Sequence, residues 1–198
     1  MIIELLKKIK TSCPWIWQFV EGCNGISIGI LYDDKIKKAT ANTLNNVESA
    51  FTYRVLKGDD AEMLVEFIKR QPEGFDQFFK PHAFDLKTFR RVLKNKTYSL
   101  IGTFDGDKLI GYCFIRFVVD KSAYRGKIVD KAYQGRGIAK QMGVIMTEIA
   151  LNAGFRLYAT ISKKNVASMK SSNAVNEIRI IKELPDDYVY IEYVGLKK

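Results

Sequence analysis

Long apolar runs are missing from the sequence, and none approaches the roughly 20 residues that a membrane-spanning helix needs. The first eight residues mix apolar and charged side chains in an amphipathic pattern, which differs from the apolar run of a secretion signal. Both absences argue against a membrane-embedded or secreted protein. We therefore expect a cytoplasmic protein without a membrane span.

Cysteine and histidine are also scarce. The three cysteines, Cys13, Cys23 and Cys113, are odd in number and widely spaced, and no Cys-x-x-Cys pair occurs. This spacing argues against a disulfide framework and against a zinc site, so we expect no bound metal. His82 is the only histidine, and its unperturbed pKa makes it the natural titrating group near neutral pH.

Acidic residues are too few to balance the basic ones. The chain has 22 Asp and Glu against 32 Lys and Arg, a formal net charge of +10. A basic protein suits an anionic partner, either nucleic acid or a phosphorylated small molecule. The basic residues are spread along the chain, and their densest group, Arg90, Arg91, Lys94 and Lys96, falls on a predicted helix face. We therefore predict no nucleic-acid partner.

One stretch, residues 128–140, predicts a phosphate site although no phosphate-loop Gly-Lys-Ser/Thr sequence occurs. A β-branched run ends there, a glycine turn follows, and apolar residues then recur at helical spacing. The first turn of a helix leaves N–H groups unpaired and carries partial positive charge, so it binds phosphate. Gly135 and Gly137 lack a Cβ and let a diphosphate lie against the backbone, while Arg136 and Lys140 add positive charge.

A dinucleotide site is the nearest alternative for this turn. Its fingerprint, Gly-x-Gly-x-x-Gly, needs a third glycine, but Lys140 stands at that position when the count starts from Gly135. The chain also lacks a strand-helix-strand unit opening around the turn. A plain glycine turn before a core helix explains neither Gln134 nor the small Ala139.

The turn resembles the Gln/Arg-x-x-Gly-x-Gly/Ala signature of the GNAT superfamily of acyl-CoA-dependent N-acyltransferases. The six matching residues are Gln134, Gly135, Arg136, Gly137, Ile138 and Ala139. The resemblance implies that they cradle the pyrophosphate of acetyl-CoA. Asn165, followed by Ser168, resembles the family's Asn-x-x-Ala/Ser motif, which implies that this motif helps to hold coenzyme A.

The order of predicted elements is similar to the GNAT fold over residues 51–198: strand, two helices, three strands, helix, strand, helix and two strands. We therefore predict an α/β GNAT domain with a mixed central sheet flanked by helices. Residues 1–50 are predicted to form an N-terminal extension with a helix before Pro14, a strand at 26–32 and a polar loop at 40–46.

The resemblance also implies how the acyl group is transferred. Backbone amides at Ile128, Val129 and Asp130, on a strand that separates from its neighbour, are expected to bind pantetheine and to stabilise charge on the thioester oxygen. A thiol has a pKa of ~8.5, so the leaving group needs no strong acid. Many family members have a tyrosine seven residues after the asparagine, where this chain has Ser172.

Several residues are candidates for the acid and the base. Candidate acids are Ser171, Ser172, Tyr158, Tyr190 and Tyr193. Candidate bases are His82, Asp120 and Asp130. His82 lies in the connection where the family commonly builds its acceptor pocket, and the two aspartates flank a predicted core strand.

The acceptor is expected to be an amine. Residues 78–85 resemble a motif of sugar-modifying acetyltransferases encoded with surface-polysaccharide pathways, which implies an amino-sugar acceptor. A protein or peptide amine is the alternative acceptor. Because the tyrosine is missing, a non-catalytic acyl-CoA-binding regulatory module is the alternative function. The oligomeric state stays open, with a homodimer as one alternative.

Overall fold

The computed structural model describes residues 14–197, which form six α-helices and seven β-strands. The helices are α1 (Pro14–Leu31), α2 (Asp33–Asn45), α3 (Ala61–Lys69), α4 (Leu86–Lys94), α5 (Ile138–Asn152) and α6 (Val166–Asn173). The strands are β1 (Thr52–Val55), β2 (Tyr98–Asp105), β3 (Lys108–Phe117), β4 (Ser122–Val129), β5 (Arg156–Ser162), β6 (Asn176–Leu184) and β7 (Tyr188–Leu196). From β1 onward, the predicted order of strands and helices is confirmed. Within the described range, every helix is too short or too polar to cross a bilayer.

All seven strands join one sheet in the order β1-β2-β3-β4-β5-β7-β6. Neighbouring strands are antiparallel except β4 and β5, which run parallel, so the predicted mixed sheet is confirmed. The parallel pair is also the shortest join, because Ser122–Tyr124 pair with Arg156–Tyr158 and the register stops there. Beyond these pairs the two strands separate toward their carboxyl ends.

Helices cover both faces of the sheet. On one face α5 buries Ile138, Met142, Ile145 and Ile149, the residues predicted from helical spacing, and α2 packs against α5. On the other face α3 and α4 form a second apolar cluster with β2 and β3. The carboxyl half of β4 therefore lies between two packed layers.

The connection between α3 and α4 is aromatic and ordered. Phe75 and Phe79 both pack on Phe84, with ring centroids 5.5 and 6.2 Å away. Asp85 is the N-cap of α4, because its Oδ1 accepts a hydrogen bond from the Thr88 N–H at 2.8 Å. This segment forms a fixed wall beside β4.

The strand predicted at 26–32 is wrong, because these residues form the end of α1 and the turn before α2. Alternating isoleucines produced the strand signal, but one of the three is buried: Ile28 is fully buried, whereas Ile26 and Ile30 are exposed. The helix predicted before Pro14 lies outside the described residues.

Helix α1 is attached to the sheet through a polar side chain. The Asn24 amide donates to the Phe117 carbonyl at 3.1 Å, and its Oδ1 accepts from the Val119 N–H at 2.9 Å. The polar stretch 40–46, predicted as a loop, is mostly the last turns of α2, where Thr40 and Thr43 are buried. Residues 14–45 are therefore mostly helical.

Candidate functional site

A cavity of about 1180 Å³ opens where β4 and β5 separate. Its walls come from the carboxyl half of β4, from β5, from the first turn of α5, from α6 and from the aromatic segment before α4. Ordinary small-ligand pockets enclose roughly 300–1,000 Å³. This cavity therefore suits a long ligand that lies along the opening between the strands.

The glycine turn forms one end of the cavity. Gly135 and Gly137 have φ angles of +82° and +81°, the left-handed region that favours glycine, and Gly137 is the N-cap of α5. A Cβ built at either position meets nothing within 4 Å. Both residues line the cavity, so an anion can lie directly against the backbone beside the helix N-terminus.

Two other residues of the turn make contacts that the sequence did not predict. The Gln134 Nε2 donates to the Val129 carbonyl at 3.4 Å, which ties the turn to the end of β4. Arg136 is exposed, does not line the cavity, and places its guanidinium 4.8 Å from the centre of the Tyr133 ring. Lys140 does line the cavity and supplies positive charge beside the turn.

Backbone donors on β4 also face the opening. The Asp130 N–H is occupied, because it donates to the Ile110 carbonyl on β3 at 2.8 Å. Backbone groups alternate between the two sides of a strand, so the N–H groups of Lys127 and Val129 point toward β5. Along this stretch β5 offers them no paired residue. The free donors are therefore Lys127 and Val129, while Ile128 contributes its side chain to the wall.

Helix α6 forms the wall opposite β4. Asn165 is its N-cap, and the Asn165 Oδ1 accepts from the Ser168 N–H at 3.1 Å. Both residues line the cavity, together with Lys170. The motif predicted to hold coenzyme A therefore reaches the cavity, and its asparagine also begins the helix.

Ser172 and Tyr193 meet at the inner end of α6. Ser172 is buried, and its Oγ lies 3.2 Å from the Tyr193 hydroxyl oxygen. Tyr193 comes from β7 and lines the cavity as Ser172 does. A phenol is thus present beside the position where the expected tyrosine is replaced by serine.

Two basic residues on β4 were missed from the sequence: Arg125 is buried in the cavity wall, and Lys127 is half-buried there. The Arg125 Nη1 donates to the Gly143 carbonyl and to the Thr147 hydroxyl on α5, at 2.9 and 2.8 Å. Its guanidinium carbon lies 3.2 Å from the centre of the Tyr193 ring. The available signal was a pair of charges at alternate positions of a central strand, where apolar residues are typical.

Lys127 lies beside Arg125 on the same face of β4. The Lys127 Nζ donates to the Ala139 carbonyl at 2.8 Å. Burial, and secondly the positive charge of Arg125, lower the pKa of Lys127 to about 7. This amine therefore titrates near neutral pH, which sequence reasoning assigned to His82.

The charges of the cavity wall all have one sign. The basic lining residues are Lys80, Arg125, Lys127, Lys140 and Lys170. Among the described residues that line the cavity there is no aspartate, glutamate or histidine. The wall therefore favours a ligand that carries several negative charges.

The candidate bases lie outside the cavity wall. His82 packs on Phe84 and Phe89, with ring centroids 5.8 and 5.3 Å apart, and burial lowers its pKa. Asp130 is buried and accepts from the Ala132 N–H at 3.0 Å. Asp120 accepts from Ser122 at the opposite end of β4. The geometry gives each of these three a structural contact.

The sequence matches the acetyltransferase (GNAT) family over residues 62–171, more than half of the chain. This matched stretch contains β2 to β5, the glycine turn and most of α6. The chain belongs to the GNAT acetyltransferase family. It is therefore an acyl-CoA-dependent N-acetyltransferase, with coenzyme A thioesters as the family's acyl donors. No curated protein matches the sequence.

Solved GNAT structures share this fold. The GNAT domain of PAT from S. lividans has a TM-score of 0.62 at 20% identity, over 71% of this chain and 88% of that one. Ribosomal-protein-S5-alanine acetyltransferase from Vibrio fischeri has a TM-score of 0.61 at 17% identity, over 75% and 95%. The aminoglycoside acetyltransferase AAC(6')-Ib, in complex with coenzyme A and kanamycin, has a TM-score of 0.55 at 15% identity, over 72% and 93%. At these identities the likeness shows the fold alone.

The cavity of this GNAT chain fits a coenzyme A thioester. Gly135 and Gly137 leave open the space that a Cβ would fill, and a diphosphate needs that space beside the helix N-terminus. Lys140 and Lys170 flank it with positive charge. The opening between β4 and β5 leads inward from the turn and has room for the pantetheine arm.

Proposed function

We propose that the protein transfers the acetyl group of acetyl-CoA to the primary amine of an amino sugar. The main observation behind this proposal is that two features line the same cavity. One is the glycine turn at Gly135 and Gly137, where no side chain fills the space, and the other is the buried hydroxyl pair of Ser172 and Tyr193. The turn suits the diphosphate of the donor, and the hydroxyl pair suits a proton transfer at the other end.

Residues of this chain would carry the transfer as follows. The N–H groups of Lys127 and Val129 stabilise negative charge on the thioester oxygen as the amine attacks. Tyr193, hydrogen-bonded to Ser172, donates a proton to the departing thiolate. Because the described wall holds no carboxylate or histidine, the acceptor enters as a free amine. His82 and Asp130 stay predictions as bases.

The acceptor side of the cavity supports a ring-shaped substrate. Phe75, Phe78, Phe79 and Phe114 line it. A second cavity of about 460 Å³ shares Thr160 with the first and is lined by Tyr124, Tyr188 and Tyr190. Aromatic faces and phenol hydroxyls suit a sugar, whose rings present apolar faces and polar rims. A peptide amine is the competing acceptor, and a homodimer and a cytoplasmic location also stay predictions.

Binding of the donor is tested by thermal unfolding with acetyl-CoA. A ligand at 100 times its dissociation constant stabilises the folded state by about 2.7 kcal/mol, so the unfolding temperature should rise. An unchanged unfolding temperature at millimolar acetyl-CoA would contradict the proposal.

Catalysis is tested by following thiol release with a panel of amino sugars, aminoglycosides and peptides. We expect turnover with amino sugars, and we expect Tyr193→Phe to lower kcat more than it changes KM. Turnover with peptides alone would replace the acceptor. Donor binding without turnover across the panel would favour the regulatory module.

A further inference from the structure

Arg125 has an unused donor inside the cavity wall. The residue is 7% exposed, and its Nη1 is satisfied by α5. Its second terminal nitrogen, Nη2, is buried and has no hydrogen-bond partner among the residues that the structure describes. The Tyr193 ring covers one face of the guanidinium but gives Nη2 no hydrogen bond by its geometry. Leaving a buried charged donor without a hydrogen bond is costly, so such a group indicates a missing acceptor.

Lys127 adds a second positive charge next to Arg125. It lies two residues along the same face of β4, where burial and, secondly, the charge of Arg125 lower its pKa. The groups around this pair are the Cys113 thiol on β3, whose pKa burial raises to about 12, and the Tyr193 hydroxyl on β7. The Cys113 thiol is therefore not an anion near neutral pH. The buried guanidinium of Arg125 and the half-buried amine of Lys127 lie together without a counter-charge, at a cost that a bound anion would remove.

The phosphates of coenzyme A do not account for Arg125. Arg125 lies four residues before Val129 on β4, which is about 13 Å along the strand. Its guanidinium bonds to Gly143 and Thr147, beyond the first turn of α5. The glycine turn that suits the diphosphate lies at the other end of this path. An anion at Arg125 would therefore belong to the inner end of the donor.

The acceptor does not reach this point either. Side chains alternate across a strand, so Arg125 and Lys127 face α5 whereas Gly126 and Ile128 face the aromatic wall. A Cβ at Gly126 would lie 2.5 Å from the Phe114 ring and 3.1 Å from the Phe79 ring. These rings therefore separate the acceptor side of β4 from Arg125 and Lys127.

We propose that Arg125 and Lys127 form an anion site for a carboxylate on the acyl group, so that the enzyme transfers succinyl or malonyl groups in addition to acetyl. This inference rests on the proposed function, because it requires the donor to lie with its diphosphate at the glycine turn. In the transfer, the acceptor nitrogen forms a bond to the thioester carbon, and the carbon–sulfur bond breaks. The electron pair leaves with sulfur, and the proton lost by the amine is balanced by the one that the thiolate gains. The distal carboxylate keeps its charge throughout.

The test compares two donors of equal chain length, succinyl-CoA and butyryl-CoA, which differ in the terminal carboxylate. Titration calorimetry with the full chain should give at least about tenfold tighter binding of succinyl-CoA, since two charge-assisted hydrogen bonds are added. Equal or weaker binding of succinyl-CoA would overturn the proposal. This comparison needs no variant.

Variants then assign the residues. Arg125→Met and Lys127→Met should each reduce the ratio of the two affinities toward one, and both are expected to fold, since apolar replacement of a buried charge is often neutral or stabilising. Arg156→Met is the matched control, because this exposed arginine lies outside the cavity wall and should leave the ratio unchanged. A ratio that survives both cavity variants would refute the assignment.

Two further measurements separate this inference from the proposed function. If coenzyme A and acetyl-CoA bind but succinyl-CoA shows no advantage, the anion site alone fails. If coenzyme A itself does not bind, the proposed function fails first. The advantage should also grow as pH falls from 8 to 6, because Lys127 becomes protonated in that range, and a flat profile in wild type would count against its role.

Discussion

Gly137 and Gly154 have nearly the same backbone conformation, with φ of +81° and +84°, but different surroundings. Gly137 faces the cavity, whereas Gly154 follows the end of α5 outside it. We expect Gly137→Val and Gly154→Val to lower stability similarly, by roughly 1–2 kcal/mol, because a Cβ is strained in this conformation. Only Gly137→Val should also abolish the stabilisation by acetyl-CoA, measured by thermal unfolding. Equal retention in both variants would mean that the turn does not hold the donor.

Lys127 should make stability depend on pH in an unusual direction. Its pKa is about 7 in the folded protein and near 10.5 when exposed, so between these values the unfolded chain binds more protons. Stability therefore rises with pH through this window, by up to ~1.4 kcal/mol per unit, and the penalty is fully present below pH 7. Denaturant unfolding at pH 7 and 9.5 should show this rise in wild type and less of it in Lys127→Met. Lys140→Met, at an exposed position, should keep the wild-type slope.

Residues differ in how much the sequence could reveal about them. The local geometry of the glycine turn and of Asn165 could be predicted, because a few neighbouring residues determine it. That these residues hold the donor stays a prediction. Tyr193 was one of several candidates, and only the pairing of β5 with β7 and the packing of α6 bring its hydroxyl to Ser172. The burial of Arg125 could not be predicted from the sequence, because it depends on which face of β4 meets α5.

At the scale of single elements, helix α6 links stability to binding. Asn165→Ala removes the acceptor for the Ser168 N–H and should cost about 1 kcal/mol. Asn165→Ser keeps a capping oxygen and should recover that stability. We expect both variants to bind acetyl-CoA more weakly than wild type in calorimetry, because the resemblance implies that the asparagine also holds the donor. Full recovery of acetyl-CoA binding by Asn165→Ser would show that Asn165 acts as a helix cap and does not hold the donor.

Elements were predicted well where the pattern and the packing agree. Helix α5 buries the apolar positions that its period indicates. The error at 26–32 arose because β-branched alternation favours a strand locally, whereas this segment belongs to a helix that Asn24 attaches to the carboxyl end of β3. Such tertiary packing outweighs local propensity and is not visible in a single segment.

At the scale of the whole molecule, the net charge of +10 and the uniformly basic cavity wall act together. They should attract the anionic donor from solution and raise its association rate. We expect the rate constant for acetyl-CoA binding to fall on the order of tenfold between low salt and about 0.5 M salt, because the Debye length shortens to a few ångströms. Stopped-flow measurements that show no salt dependence would confine the role of charge to the bound state.

The short join between β4 and β5 divides the sheet into two sets of strands, β1 to β4 and β5 with β7 and β6, held by three residue pairs and by α5. Each set is expected to behave as its own cooperative unit, with a hinge at Tyr124. The amide protons of Lys127 and Val129 should then exchange rapidly with solvent deuterium, although they lie mid-sheet. A bound donor that accepts hydrogen bonds from them completes the sheet and should slow their exchange. Ligand binding would in this way complete the hydrogen bonding of the sheet.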